Sequence, residues 1–499
     1  MIGITRHRVA LLTLCTLGAA GCETDLTGLN TNPNNPTTAP ASTLFTQATI
    51  NAVGRFAGGP QLSGTSLFAQ HIAQVQYVEE DRGRLRTETI DGWFTGAYVG
   101  ELEDYQKVIE QGDLAKSTNT SGPARVMQTW VFQNMTDYWG DIPYSEALKA
   151  DQGGPLKPKY DPQKDIYYGL LKTLADASTS MRAPSGASLG AGDPIYKGDV
   201  AKWVKLANSM RARLAMRISK ADPAKAATEL AAAFSAPGGV LTSNADNAGL
   251  AWPGDGVYDN PYSGNFATRD DHRVSKTLLD TMNILRDPRV KIYAQPTKAD
   301  PTVYAGLQNG LDNVTVTPFF NTTSRIGAIF YPGTTVYGVY GTAAGKQTPS
   351  VIMTVAEVEF IQAEMLERAI AGASGSAKSH YDAGVTASIT QWGGTAAEAA
   401  EYLARPGVAY TPGATGLKQI GLQKWISMFT QGTEAWSEFR RTGNPVTVKM
   451  GPKAYPEVTE IPRRILYPSN EQTVNAEMLN EAIARQGANT YLTRMWWDK

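Results

Sequence analysis

The sequence predicts a mainly α-helical protein whose helices gather toward both ends and flank a loop-rich middle. Three observations carry this expectation. Apolar residues recur every three to four positions in several long stretches, the mark of amphipathic helices. Strand-like signals are few and short. Glycine and proline, 48 and 28 residues, together make up about 15% of the 499, which implies long loops between the helices.

The elements follow in chain order. Arg6 and Arg8 precede an apolar run from Val9 to Ala20, and then come Gly21 and Cys22. A dozen apolar residues suit the hydrophobic region of a signal peptide and fall short of the roughly 20 that a membrane span needs. Ala19, Ala20 and Gly21 before Cys22 look like a bacterial lipobox, with Ala19 where leucine is usual. An ordinary signal peptide ending at a cysteine is the alternative. Cys15 leaves with the signal, so Cys22 would be the one remaining thiol, with no partner for an internal disulfide. We expect residues 1–21 to be a lipoprotein signal peptide and Cys22 to be acylated, anchoring the chain to a lipid bilayer. Residues 22–40, polar and rich in Asn and Pro, read as a flexible tether. Residues 41–499 read as a single domain, because no further linker interrupts them.

Within that domain, Val126/Met127, Trp130/Val131, Met135 and Tyr138 form a helical stripe after Pro123 that Gly140 stops. Asp199 is placed to cap a helix carrying Trp203/Val204, Ala207, Met210, Leu214 and Ile218 inward. Val355, Val358, Ile361, Met365 and Ala369 make another stripe, and Ile420, Trp425, Met428 and Phe429 a further one. The stretch 237–350 shows one clear helix, at about 274–286. It also holds the best strand signal, Ile326–Tyr331, followed by Pro332-Gly333 at the centre of a type II turn and then Thr334–Tyr340. The proline supplies the fixed φ and the glycine the positive φ that such a turn requires.

Composition excludes several classes. Hydrophobic residues at 42%, aromatics at 9% and charged residues at 19% are those of a folded protein. With 46 Lys and Arg against 47 Asp and Glu, the net charge is −1. Loss of Arg6 and Arg8 with the signal takes it to −3. No basic excess is present to neutralise phosphates, so nucleic acid is not an expected partner.

No residue pattern in the sequence carries a catalytic or metal site. His71, His272 and His380 lie far apart without metal-ligand spacing, so no metal and no cofactor is expected. Gly186–Gly190 satisfies G-x-S-x-G, but sits in a Pro/Ser/Gly/Ala loop instead of a strand-to-helix elbow. Gly345-Lys346 lacks the earlier glycine and the Ser/Thr of a phosphate loop. Glu357 and Glu364, seven apart, could be imagined as a glycosidase pair, yet Arg368 at i+4 makes Glu364 a plain helix-pair residue. Asp270, Asp271 and His272 read as capping residues before a helix. Lys202, Lys205, Arg211, Arg213, Arg217 and Lys220 read as a solvated helix face. No catalytic residue is assigned.

Several segments carry a resemblance, in order along nearly the whole chain. They are Leu29–Pro36 (LNTNPNNP), Asp137–Ala147 (DYWGDIPYSEA), Tyr160–Gln163 (YDPQ) with Ile166-Tyr167, and Lys202–Asn208 (KWVKLAN). Further on come Asp287-Pro288-Arg289, Ala356–Glu364, and Gln423-Lys424-Trp425 with Glu434–Gly443 (EAWSEFRRTG). Pro462-Arg463-Arg464, Tyr467-Pro468 and Glu471 complete the series. Together they resemble the SusD/RagB family of outer-membrane nutrient-binding lipoproteins. The resemblance implies a tetratricopeptide-like helix-pair scaffold packed against a loop-rich half with a few short β-strands or a hairpin. It implies a lid that captures glycans, oligosaccharides or peptides at the outer membrane, facing outward. It also implies a SusC-like, TonB-dependent transporter as partner.

Because family members differ in their ligand loops, the binding candidates come from the residues themselves. Trp252, Tyr258, Tyr262 and Phe266 place four aromatics in 15 positions. Pro261, Gly264 and the Gly254/Gly256 pair argue against a continuous helix there, so these rings are expected on loops. Phe319, Phe320, Phe330, Tyr331, Tyr337 and Tyr340 form a second cluster around the expected hairpin, and Trp93 lies between Gly92 and Gly96. Flat rings with a polar edge suit sugar faces or peptide side chains. The competing account is that they fill the core beneath long loops. The function expected is therefore nutrient binding without catalysis. A surface glycoside hydrolase and a purely structural lipoprotein are the alternatives.

Overall fold

The computed structural model describes residues 39–336 and 338–498. The signal region, Cys22, the tether up to residue 38 and Tyr337 lie outside the described residues. Residues from Ala41 onward form one compact unit.

Helix α1 (Ala41–Phe56) buries Phe45, Ala48, Ala52, Val53 and Phe56 on one stripe. Two single turns, α2 (Gly59–Leu62) and α3 (Thr65–Phe68), lead to strand β1 (Ile72–Gln74). Helix α4 (Thr87–Gly96) runs through a π-helical turn, Ala97–Leu102, into α5 (Glu103–Leu114). Helix α6 (Thr118–Trp139) starts five residues before Pro123 and takes that proline into its interior; Gly140, at φ +83°, ends it as expected. Strands β2 (Ile142–Pro143) and β3 (Tyr160–Asp161) pair antiparallel, and α7 (Gln163–Met181) follows. Asp199 caps α8 (Val200–Arg217), accepting from the amides of Ala201 and Lys202 at 3.1 and 3.3 Å. Asp222 caps α9 (Pro223–Ser235), with proline at its first position. Each helix of this block packs on the next, α5 on α6, α6 on α7, α7 on α8 and α8 on α9, a succession of helix pairs of the tetratricopeptide-like kind.

The middle contains β4 (Ala248–Leu250), α10 (Pro261–Thr268), β5 (His272–Val274) and α11 (Lys276–Leu285). Short α12 (Val290–Tyr293) and α13 (Asn313–Val316), the hairpin β6 (Thr334–Thr335) and β7 (Gly338–Val339), and β8 (Ser350–Met353) complete it. Strand β5 pairs antiparallel with β1, Ile72 opposite Val274, and β4 with β8. The C-terminal helices are α14 (Val355–Glu367), α15 (Ala377–Gln391), α16 (Ala396–Leu403), α17 (Ala414–Ser427) and α18 (Gly432–Thr442). Then come α19 (Glu471–Val474) and α20 (Ala476–Gln486). Among the described residues no helix is long and apolar enough to cross a membrane.

Buried ion pairs lock the helices together. Arg213 of α8 grips Glu357 of α14 bidentately, at 2.7 and 2.5 Å. Arg217, one turn on, meets Asp137 of α6 at 3.0 Å and also Glu434 of α18. Arg441 of α18 holds Glu364 of α14 at 2.7 and 2.5 Å and also pairs with Glu438, which Lys424 approaches at 3.1 Å. The expectation of a solvated basic face on α8 therefore fails for Arg213 and Arg217, which are 3% and 2% exposed. Helix α8 is covered by α6, α7, α9 and α14. Its guanidinium forks reach carboxylates that satisfy them inside.

Two further expectations change. Ile326–Tyr331 is no strand: Ile326 forms an isolated bridge to Ala294, and Ala328–Phe330 coils into a 3-10 turn. Residues around Gly341 and Gly345 pack on Tyr331 instead, so closely that a Cβ on Gly345 would collide with the Tyr331 carbonyl oxygen. Gly333 does adopt positive φ, +88°, but the hairpin lies wholly beyond it, between Thr334 and Val339. Asp270, Asp271 and His272 do not cap α11; Ser275 does, accepting from the Thr277 amide at 3.1 Å.

Candidate functional site

Most of the rings named from the sequence are buried. Pro261 does not break a helix but opens α10 at its first position, and the Asn260 side chain caps it by accepting from the amides of Tyr262 and Ser263 at 2.8 and 3.3 Å. Spacing by four then sends Tyr262 and Phe266 inward together, 3% and 1% exposed. Phe266 stacks on Tyr331 with ring centroids 4.5 Å apart, and Tyr331 is itself 1% exposed. The expectation that Tyr262 and Phe266 are displayed on loops is thus corrected. Trp252, 6% exposed, donates its indole N–H to Ser350 Oγ at 3.0 Å. Trp93, equally buried, lies on α4 against Gly64 and Tyr138. Tyr258 precedes α10 and stays 37% exposed, its backbone amide held by Asp255 at 2.8 Å.

An open aromatic cleft appears elsewhere in the loop-rich half. After β1 the chain continues through Val75, whose amide donates to the Asp271 carbonyl at 2.7 Å, and so carries the ladder with β5 one step further. Tyr77 then projects 53% exposed from a left-handed backbone, φ +54°. A bulky residue holds that conformation only where its surroundings over-determine it. They do so here. Gln74 and Asp81 bracket the turn reciprocally: Asp81 Oδ2 accepts from the Gln74 amide at 3.3 Å, and Gln74 Oε1 accepts from the Asp81 amide at 3.1 Å. Asp81 also accepts from Asn309 Nδ2 at 2.6 Å and the Gly310 amide at 3.0 Å. Burial pushes the Asp81 carboxyl up to about 7 against these hydrogen bonds, with Glu80 adding to the rise.

The facing wall is Phe320, at the end of the short turn after α13. Val75, Gln76, Tyr77, Asn313, Thr317 and Phe320 line a cleft of about 520 Å³, and Phe319 beside it is 40% exposed. Cations stand at both rings. The Arg269 guanidinium lies 4.9 Å from the Tyr77 centroid and the Arg273 guanidinium 4.8 Å from that of Phe320. Arg273 is fully buried, pairs with Asp270 at 3.0 Å and donates to the Phe320 carbonyl at 2.8 Å; Arg325 grips the same Asp270 from the other side. Two cationic forks on one buried carboxylate make the floor rigid. Beside it His272 is held neutral, lowered to about 4 by burial. Phe319 and Phe320 belong to the second cluster nominated by sequence, whereas Tyr77 was missed. Its only local sign is an aromatic set just before the charge-dense run Glu79–Arg86.

The carboxylates considered for catalysis are engaged otherwise. Glu357 is fully buried on Arg213, and Glu364 is shared by Arg441 and Arg368. Ser188 of the G-x-S-x-G stretch donates to the Gly198 carbonyl at 3.2 Å, just before a 3-10 turn.

Comparison with known proteins completes the picture. A family profile, SusD-like, described as "Starch-binding associating with outer membrane", matches residues 33–468. A comparison with curated proteins finds no match. Among solved structures, a chitin-binding protein superposes with a TM-score of 0.78 at 29% identity, over 92% of this chain and 99% of its own. A chitin-binding SusD homologue from Flavobacterium johnsoniae gives 0.79 at 24% identity, over 91% and 98%. A SusD homologue from Bacteroides uniformis gives 0.79 at 24% identity, over 92% and 99%. The last two speak to the fold alone. With the helix-pair scaffold, the loop-rich half and a profile match running over residues 33–468, the chain belongs to the SusD-like family of outer-membrane-associated proteins.

Proposed function

We propose that the protein is a surface-exposed outer-membrane lipoprotein, anchored by acylated Cys22, which binds an oligosaccharide without cleaving it and delivers it to a SusC-like, TonB-dependent transporter. The observation that carries this reading is the cleft between Tyr77 and Phe320. Tyr77 and Phe319 stand open to solvent beside the half-buried Phe320, on a backbone fixed by buried hydrogen bonds and ion pairs. Such flat apolar faces, ordered before the ligand arrives, suit the faces of pyranose rings. Tyr258, which is 37% exposed, and Tyr337 are proposed as further ligand contacts. Trp93, Trp252, Tyr262, Phe266 and Tyr331, all buried, are assigned to the core. The absence of cleavage is supported by Glu357 and Glu364, both committed to arginines. N-acetylglucosamine oligomers are the first ligand to try, because the solved structure similar at 29% identity is that of a chitin-binding protein.

The test is calorimetry with chitohexaose, maltohexaose and an unrelated hexapeptide, on wild type and on Tyr77→Ala and Phe319→Ala. Both rings are exposed enough to be removed without unfolding the chain. We expect one of the sugars to bind, each variant to lose tenfold or more in affinity, about 1.4 kcal/mol, and the recovered sugar to keep its length. Shortened products would establish the hydrolase instead. Binding of the peptide alone would move the ligand class. Wild-type affinity in both variants would place the site elsewhere.

A further inference from the structure

A second cleft, of about 590 Å³, lies on the helical half and shares no lining residue with the first. The π-helical turn Ala97–Leu102 breaks the 3.6-residue period at one wall, a feature that recurs at functional sites. There Tyr98 ties its hydroxyl to the Pro143 carbonyl at 2.6 Å and packs on Phe94, while Val99 is turned out, 73% exposed. Leu156, from the loop between β2 and β3, is 88% exposed, and Val474, at the end of α19, 56%. Single exposed aliphatic residues are ordinary on any surface; three around one cleft are not. Pro143, Pro155 and Pro158 add further apolar wall.

Two polar features show what would fill it. Asn475, 5% exposed, donates its Nδ2 to the Pro158 carbonyl at 2.9 Å, yet its buried Oδ1 accepts from no donor among the described residues. Such an atom is costly unless a partner supplies a hydrogen. The lining carries four carboxylates and one lysine. Glu103 and Asp151 share Lys107, Glu146 has Lys159 at 3.9 Å, and Lys149 turns to the Ser145 carbonyl at 2.6 Å. Glu471 accepts the Tyr160 hydroxyl at 2.6 Å, but no basic side chain among the described residues pairs with it.

We propose that this cleft docks an extended polypeptide segment of a partner protein. Aliphatic side chains of the segment seat against Val99, Leu156 and Val474, a Lys or Arg pairs with Glu471, and a main-chain N–H donates to Asn475 Oδ1. Aliphatic and prolyl walls match such side chains better than sugar faces, and an extended chain offers its N–H groups along its length. The assignment is independent of the oligosaccharide reading.

The test selects random hexapeptides displayed on phage against the full chain in detergent, with counter-selection on a Val99→Asp, Leu156→Asp double variant. Both positions are exposed, and an unchanged melting temperature checks that the variant folds. We expect enrichment of adjacent aliphatic residues flanked by Lys or Arg. Synthetic peptides of the enriched sequences should bind wild type at least tenfold more tightly than the double variant and at least threefold more tightly than Glu471→Gln. Replacing their basic residue by Glu should cost a similar factor. No enrichment over the double variant, enrichment of acidic sequences, or displacement of the peptide by chitohexaose would each overturn the proposal.

Discussion

Replacing Arg441 by methionine tests how the helical scaffold is held. Arg441 is 2% exposed and its guanidinium makes a bidentate pair with Glu364 and a second pair with Glu438. Methionine fills most of the volume but leaves both carboxylates buried without it. Removing one partner of a buried ion pair costs about 3–5 kcal/mol, mostly through the charge left behind. The lower end applies here, because Glu364 keeps Arg368 at 2.8 Å and Glu438 keeps Lys424 at 3.1 Å. For a unit the size of residues 41–499, an unfolding entropy near 2 cal/mol/K per residue gives about 1 kcal/mol per degree. The melting temperature should therefore fall by about 3 °C at pH 7.

The pH dependence separates this cause from simple loss of packing. Burial alone would raise Glu438 and Glu364, but Arg441 outweighs it and holds both below the ordinary value of 4.5. A depressed carboxylate contributes stability that is present above its unfolded pKa and lost as pH falls below it. The wild type loses that contribution on acidification and the variant has little of it to lose. Scanning calorimetry of both proteins at pH 7 and pH 4 should show the gap narrowing at pH 4. A gap that is absent at pH 7, or unchanged at pH 4, would refute the ion-pair account. A variant that melts normally yet loses ligand would move Arg441 from scaffold to site.

Asp81→Asn should weaken sugar binding several-fold, because the asparagine cannot accept from both Asn309 and the two backbone amides that fix the Tyr77 turn. Asp81 is raised to about 7 in the fold, so its contribution to stability is full at low pH and lost as pH rises through 7. Chemical denaturation should show the wild type losing about 1 kcal/mol relative to the variant between pH 6 and pH 8. Gly64→Ala would set a Cβ 2.8 Å from the Trp93 ring, costing about 1–3 kcal/mol by overpacking; Trp93→Phe in the same chain should restore much of it, and no coupling between the two would show that Trp93 is free to move. Cys22→Ala should shift the protein from the detergent phase to the aqueous phase on partitioning, and unchanged partitioning would remove the lipid anchor from the proposal.

The helical scaffold was legible because its signals are local. Asp199 before an apolar stripe and Gly140 after one need only neighbouring residues to act, and both behave as the pattern predicts. The i+4 pairing of Glu364 with Arg368 was legible too, whereas Arg441, which grips the same carboxylate from α18, lies 77 positions away. The α8 stripe misled because a guanidinium fork enters a core as readily as it faces water once carboxylates wait there, and those on Asp137, Glu357 and Glu434 come from three other helices. The aromatic cluster misled through Pro261, which halts a helix from within but starts one from its first position. Residue type does not separate Tyr262 from Tyr77. The Asn260 cap turns one into the core, and the end of the β1–β5 ladder leaves the other in solvent. That ladder joins segments about 200 positions apart, beyond the reach of any local pattern. Exposure of the Tyr77 ring is thus a property of long-range register. Asp81 then fixes the turn that carries Tyr77, through the amides of Gln74 and Gly310 and the side chain of Asn309.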